Sequence, residues 1–457
     1  MTELMSKKYK IDIPDWYVKS FDLIQKNTNG AMPDILKVYR TSSFQKLLEI
    51  GFPTTKVEDW KYTNVYPIIE KKYKASNFIN IFENGELINN VKNLIESNPV
   101  ISFLSSFQLV FIDGHYIDSL SSVQKNERFI LQPISQALKS ENGTVLNHLN
   151  KYSIIENGFN ALNNIFFIDG FYLEVKDNVI EDEPFVAIFV QSGIEPLMIN
   201  SRNLIVVGKH SKVKVIEIFI SLNDEVSFTN SITEAVLGEN SFVEHYKYQA
   251  ESEKSYHIGK IQSEILRNAN FTSHNLVFGA AITRNDINNV LNGEGSEVHM
   301  YGLYFTQNAQ HVDSHTLVDH AKPHCLSNEL YKGILADNSR GVFNGKIIVR
   351  KGAQKTNAYQ SNKNLLLSGH AKIDTKPQLE IFADDVRCTH GATVGQVEDD
   401  SLFYLRARGI EEKTARTLLV NAFANDVLMN MTFEPFREKI SEVVSTRMNL
   451  IQTRSAN

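Results

Sequence analysis

The apolar positions of the chain change period twice. Through the first hundred or so residues they recur in short stretches at helical spacing. TSSFQKLLEIGFP (41–53) opens on Thr41 and Ser42, which suit an N-cap, and stops at Gly51 and Pro53. ENGELINNVKNLIES (83–97) carries a helical stripe of Leu87, Val91, Leu94 and Ile95. FQLVFIDGHYI (107–117) then reads as a strand, a turn at Asp113-Gly114 and a second strand. From about residue 165 to 398 short alternating segments follow one another, among them FVAIFVQ, EVHMYGLYFT, GVFNGKIIVRKGA and QLEIFADDV. Gly, Asn and Asp punctuate them. Within Lys212–Ile220 the alternation switches phase: Val213 and Val215 share one face, and Ile216, Ile218 and Ile220 occupy the other. The switch predicts a bend or bulge between two short strands. So long a run of strands without a helix of ordinary length predicts a sandwich, barrel, propeller or solenoid. No repeat period is visible, and alternation alone does not choose among them.

After residue 401 the helical period returns. EEKTARTLLVNAFANDVLMNM places Ala415, Leu418, Leu419, Ala422, Phe423 and Val427 on one face. Gly409 ends a short helix before it, and Pro435 can begin the last one, whose stripe is Phe436, Ile440, Val443, Val444, Met448 and Ile451. An antiparallel helical hairpin outside the β-tract is expected, either capping that tract or offering an apolar face to a partner. The expected division is 1–160, helical with a few strands; 161–398, the β core; and 399–457, helical.

Composition narrows the function classes. The 457 residues carry a net charge of -6, with 42% hydrophobic and 22% charged residues. That balance is ordinary for a globular chain and argues against nucleic acid or an anionic membrane as partner. MTELMSKKYKIDIPDW has no apolar core of the kind a secretory signal needs, and no apolar run is long enough to span a bilayer. A cytoplasmic location is expected. The only cysteines are Cys325 and Cys388, so no disulfide framework is expected, and the chain alone cannot supply four thiolates to a cubane cluster. No G-x-x-x-x-G-K-[ST] stretch occurs, so ATP hydrolysis by this chain is not expected.

Three constellations carry candidate chemistry. In ADDVRCTHGATVG (383–395), Cys388 and His390 stand two apart, on one face of a strand, about 7 Å from each other. A thiolate beside an imidazole suits zinc, iron or copper, but two ligands need completion from elsewhere. A buried thiol with a locally bonded histidine fits the same spacing. Asp384 and Asp385 could act as paired carboxylates in a β-solenoid polysaccharide enzyme, or simply form a turn. HVDSHTLVDHAKPHC (311–325) holds His311, His315, His320, His324 and Cys325, the third candidate, as a zinc hydrolase. On a strand, however, His311 and His315 stand about 13 Å apart, too far for one ion.

The block KGAQKTNAYQSNKNLLLSGHAKIDTKPQLEIFADDVRCTHGATVG, with LFYLRARGI after it, resembles the SufB/SufD family of iron–sulfur cluster assembly proteins. GFPTTKVEDWKYTN, ALNNIFFIDGFYLEV and SNELYKGILADNSRGVFNGKIIV are similar to the same family. With only two cysteines and the form DDVRCTHGATVG, the chain resembles the cysteine-poor SufD branch rather than the thiolate-rich SufB branch. The resemblance implies a right-handed parallel β-helix between helical terminal domains, and a non-catalytic scaffold role. It implies a β-helix to β-helix heterodimer with a SufB-like paralogue, and a SufC-like ABC ATPase bound by the C-terminal helices. It also implies that His390, with Cys388 beside it, lies at the SufB interface and serves a transient, shared iron–sulfur cluster. A flavin is associated with this family's complex but leaves no readable motif here. Whether the isolated chain forms a homodimer stays open.

Overall fold

Two ten-stranded sheets face each other, and through most of their length the chain crosses from one to the other after every strand. This computed structural model describes residues 10–27, 34–104, 106–123, 126–140 and 142–454. The segment read above for a secretory signal falls largely on residues 1–9, outside the described residues. The first sheet has the short antiparallel strand His115–Tyr116 at one edge, then runs in parallel from Phe107–Ile112 through Phe185–Gln191, Lys212–Ser221, Phe242–Ala250, Asn270–Val277, Glu297–Thr306, Leu326–Leu335 and Asn357–Leu366 to Arg387–Gly395. The second interleaves with it and ends on Lys372–Ile381. The result is a parallel β-solenoid of about 7 turns with helices at both ends of the chain.

A repeat is present after all. Lys212 lies beside Phe242, Phe242 beside Asn270 and Asn270 beside Glu297, so these coils take 27 to 30 residues each. One corner of successive coils is built alike. His210, Asn240, Asn268, Gly295, His324 and Lys355 all adopt left-handed backbone, with φ between 52° and 71°. Each is followed by a small buried residue: Ser211, Ser241, Ala269, Ser296, Cys325 and Thr356. Side-chain identity changes from coil to coil while backbone and size persist, which hides the period from inspection.

Lys212–Ser221 is one unbroken ten-residue strand, not two. Its phase switch reflects burial on both faces. Val213, Val215 and Phe219 point between the sheets, among Ala235, Leu237 and Ile261. Ile216, Ile218 and Ile220 point outward, into an apolar cluster shared with the helix Gly85–Ser97 and the C-terminal helices. Thr41 and Ser42 do not cap a helix; they lie inside the helix Asp34–Ile50, where Ser42 Oγ donates back to the Tyr39 carbonyl at 3.1 Å. That helix does stop at Gly51, whose φ is 59°.

The N-terminal region packs on the outer face of the second sheet, with Phe52, Trp60, Phe159 and Leu162 against Met198, Phe228 and Ile258. A buried carboxylate pins it there: Glu234, 2.8 Å from Arg202 Nη2 and fully buried with it, also accepts the N–H groups of Asn150, Tyr152 and Ser153. At the other end come helices Asp399–Ala407, Glu412–Leu428 and Glu434–Arg454. The last two form the expected hairpin, but it lies along the first sheet's outer face. Phe436, Ile440, Val444 and Met448 cover Tyr246, Tyr248, Phe278 and Phe305 there. Glu412–Leu428 buries Ala415, Val420, Ala424, Val427 and Leu428, so the sequence stripe is rotated: Leu418 and Ala422 face outward. Among the described residues no helix is long and apolar enough to cross a membrane.

Candidate functional site

Arg387–Gly395 is the last strand of the first sheet. One edge pairs with Asn357–Leu366, placing Cys388 beside Ala358 and His390 beside Gln360; the other has no strand partner among the described residues. The solenoid is therefore open at this end. Cys388 and His390 share the face that continues the solenoid interior, as their spacing predicts. Cys388 is half-buried against that interior, and burial pushes its thiol above the ordinary value. His390 is exposed, and its side chain makes no hydrogen bond to another described residue. Tyr359, Ile381, Phe382 and Val394 add exposed apolar surface at the same end.

Asp384 and Asp385 form the corner before this strand. The Asp385 carbonyl accepts the Lys355 N–H at 2.7 Å, its own N–H donates to Gln354 Oε1 at 2.9 Å, and its carboxylate pairs with Lys355. The turn reading holds, and Asp385 already has its cation.

The histidines of 311–325 separate. His311 Nε2 lies 2.8 Å from Thr63 Oγ1, and His315 Nε2 lies 3.0 Å from Asp313 Oδ1. Both sit under the N-terminal segment, where Trp60 stacks on the Arg284 guanidinium at 3.7 Å and Arg284 Nη1 reaches Asp313 at 3.0 Å. Burial raises the Asp313 carboxyl, but His315, Arg284 and His311 outweigh it and hold the group far below the usual range. His320 is buried with Nε2 2.9 Å from Ser327 Oγ, and His324 and Cys325 form a solenoid corner. These are docking and packing roles, and the zinc-hydrolase arrangement is not formed. Among the described residues no three His, Cys, Asp or Glu side chains converge to hold a metal ion.

Sequence reasoning missed the polar solenoid interior. Glu217 accepts from His245 Nε2 at 2.9 Å and from Thr233 Oγ1 at 2.8 Å. His257 Nδ1 donates to Glu251 at 2.8 Å, so its Nε2 can accept from Lys247 Nζ, 3.1 Å away. Burial draws Lys247 down to about 8. Nearer the open end, Gln360 Nε2 donates to the buried Glu329 at 2.8 Å. On alternation alone such residues read as a solvated face. The repeated corner, a left-handed residue followed by a small one, would have fixed which face turns inward.

Comparison with known proteins gives the family. The family model described as "SUF system FeS cluster assembly, SufBD core domain" matches residues 189–423, and "SufBD protein N-terminal region" matches residues 11–186. The chain is 31% identical over 413 residues to "Iron-sulfur cluster assembly protein SufD" of Escherichia coli (strain K12), covering 88% of this chain and 91% of that one. It is 29% identical over 433 residues to an iron–sulfur cluster assembly SufBD family protein of Synechocystis, covering 93% of each. It is 27% identical over 430 residues to "Protein ABCI7, chloroplastic" of Arabidopsis thaliana, covering 92% of this chain and 87% of that one. The chain belongs to the SufBD family of iron–sulfur cluster assembly proteins.

Proposed function

We propose that this chain is the cysteine-poor, SufD-type scaffold subunit of a cytoplasmic complex that builds iron–sulfur clusters. It pairs with a SufB-like, thiolate-rich paralogue and binds a SufC-like ABC ATPase, and it catalyses no reaction alone. The observation that carries the reading is the position of Cys388 and His390 on the strand that ends the solenoid. Two candidate ligands stand there, with a strand edge unpaired among the described residues and exposed Tyr359, Ile381, Phe382 and Val394 around them. Extended backbone at such an edge can pair with a second chain. The nascent cluster is cargo, shared between the two chains. His390 is the main contributor, since an imidazole serves as a terminal iron ligand and leaves more readily than thiolate when protonated.

The ATPase docks on the C-terminal helices. Their inner face is used up by the first sheet, while Phe403, Tyr404, Leu418, Met429 and Leu450 stay exposed. Substitution is a cleaner test than deletion of 411–457, which would strip cover from the first sheet. Phe403→Glu with Tyr404→Ser should abolish capture of the ATPase and spare the paralogue.

The deciding experiment is anaerobic co-expression with SufB-like and SufC-like proteins, followed by iron and sulfide analysis and visible absorbance. His390→Ala should leave the complex assembled with little cluster, and Cys388→Ser should do less harm. Wild-type cluster content in the His390→Ala complex sinks the assignment.

A further inference from the structure

Beneath His390 the solenoid interior holds a short polar column. Strands Leu326–Leu335, Asn357–Leu366 and Arg387–Gly395 are consecutive in the first sheet, and Glu329, Gln360 and His390 occupy one register position on them. Parallel neighbours lie about 4.8 Å apart, so the three side chains stack along the solenoid axis. Glu329 and Gln360 are 2% and 3% exposed. Gln360 Nε2 donates to Glu329 Oε2 at 2.8 Å. A carboxylate only accepts, which fixes the orientation of the Gln360 amide. Its carbonyl Oε1 is then left buried with no partner among the described residues. An unpaired buried carbonyl costs about 1–3 kcal/mol. The His390 ring has an N–H to give, and among the described residues no side-chain hydrogen bond takes it.

Space has been cleared for this amide. Gly345, on Arg340–Val349 in the facing sheet, stands across from Gln360. A Cβ added at Gly345 would come within 2.2 Å of Gln360 Nε2. Only a residue without a side chain lets the amide stay where it is.

We infer that Glu329 and Gln360 are positioning residues for His390: Glu329 anchors the Gln360 amide, whose carbonyl accepts the His390 ring N–H directly or through one water and presents the other ring nitrogen, bare, at the open end of the solenoid. A histidine that binds a metal ordinarily gives its second ring nitrogen's proton to such an acceptor, which fixes both tautomer and ring plane. The column supplies that acceptor before any partner arrives. The inference rests on the proposed role of His390 at the cluster site, but its first test needs neither cluster nor partner.

The test is nitrogen NMR of the full chain, labelled at histidine, with His390→Ala used to assign the His390 signals. At pH 8 the wild-type ring should show a single tautomer. Gln360→Ala should give a mixture of tautomers, and so should Gly345→Ala, which reaches Gln360 from the facing sheet. Glu329→Leu should act like Gln360→Ala, whereas Glu329→Gln, whose side-chain carbonyl still accepts, should keep the wild-type spectrum. In the co-expressed complex Gln360→Ala should lower cluster content severalfold. A His390 ring with the same tautomer distribution in wild type and Gln360→Ala overturns the inference, and so does an altered tautomer with unchanged cluster content while His390→Ala loses the cluster. If His390→Ala itself keeps its cluster, the proposed function loses its ligand, and the tautomer result alone decides whether the column positions the ring.

Discussion

Replacing Glu234 by alanine should loosen the N-terminal region from the solenoid. Glu234 is fully buried, and its carboxylate receives four donors. Arg202 Nη2 stands 2.8 Å from Oε2; the Asn150 N–H donates to the same oxygen at 2.8 Å; and the N–H groups of Tyr152 and Ser153 donate to Oε1 at 2.9 Å each. Removing the carboxylate strands a buried guanidinium, which costs about 3–5 kcal/mol. The three backbone donors add less, because Asn150 and Tyr152 border solvent and the loop can turn toward water. A total near 4 kcal/mol is a large share of the roughly 5–15 kcal/mol that holds a domain folded. The reverse change should be milder. Arg202→Met leaves Glu234 with its three backbone donors, so its loss should be about half as large. Hydrogen exchange of the full chain reads this locally: Glu234→Ala should lose protection across residues 148–166 while strands from 282 onward keep theirs. Equal or greater loss in Arg202→Met refutes the view that the carboxylate, rather than the ion pair, is the anchor.

Other tests follow from the same contacts. Burial draws His320 down to about 4 from its ordinary 6.5, so the unfolded chain binds its proton first. Stability should therefore fall as pH drops from 6.5 toward 4, by up to about 3 kcal/mol, and His320→Gln should flatten that limb of a urea-denaturation series. Burial raises Glu329 to about 7 from 4.5, so the sign reverses. Wild-type stability should decline as pH rises from 4.5 through 7, and Glu329→Gln should gain relative to wild type by up to about 3 kcal/mol at pH 8. Trp60→Ala removes a buried ring and its stacking on Arg284, and should cost about 3–5 kcal/mol by thermal denaturation.

What the sequence disclosed and what it hid divide along a physical line. Local signals were legible: the turn at Asp113 and Gly114, where both residues have positive φ; the stop at Gly51; the short helix ended before Gly409; and the strand under Cys388 and His390. Each depends on a few neighbouring residues. Face assignment failed where burial came from far along the chain. Ile216, Ile218 and Ile220 are outward residues buried by helices more than a hundred positions before or two hundred after them, so a doubly covered strand looked like two strands. Leu418 was misplaced for the same reason, since the partner of its helix is a sheet and not only the neighbouring helix. The interior misled more deeply. Glu217, His245, Lys247 and Glu329 are charged or titratable residues on strands, and the rule that such residues face water is sound for most sheets. A solenoid relaxes it, because stacked coils let a polar side chain meet a polar partner from the coil above, below or across. Gln360 follows that logic within the sheet by donating to Glu329 one coil below. At the end of the stack no further coil follows among the described residues, so the polar column reaches the surface at His390. The position that the C-x-H spacing marks as chemically suggestive is thus also where the fold runs out of partners of its own.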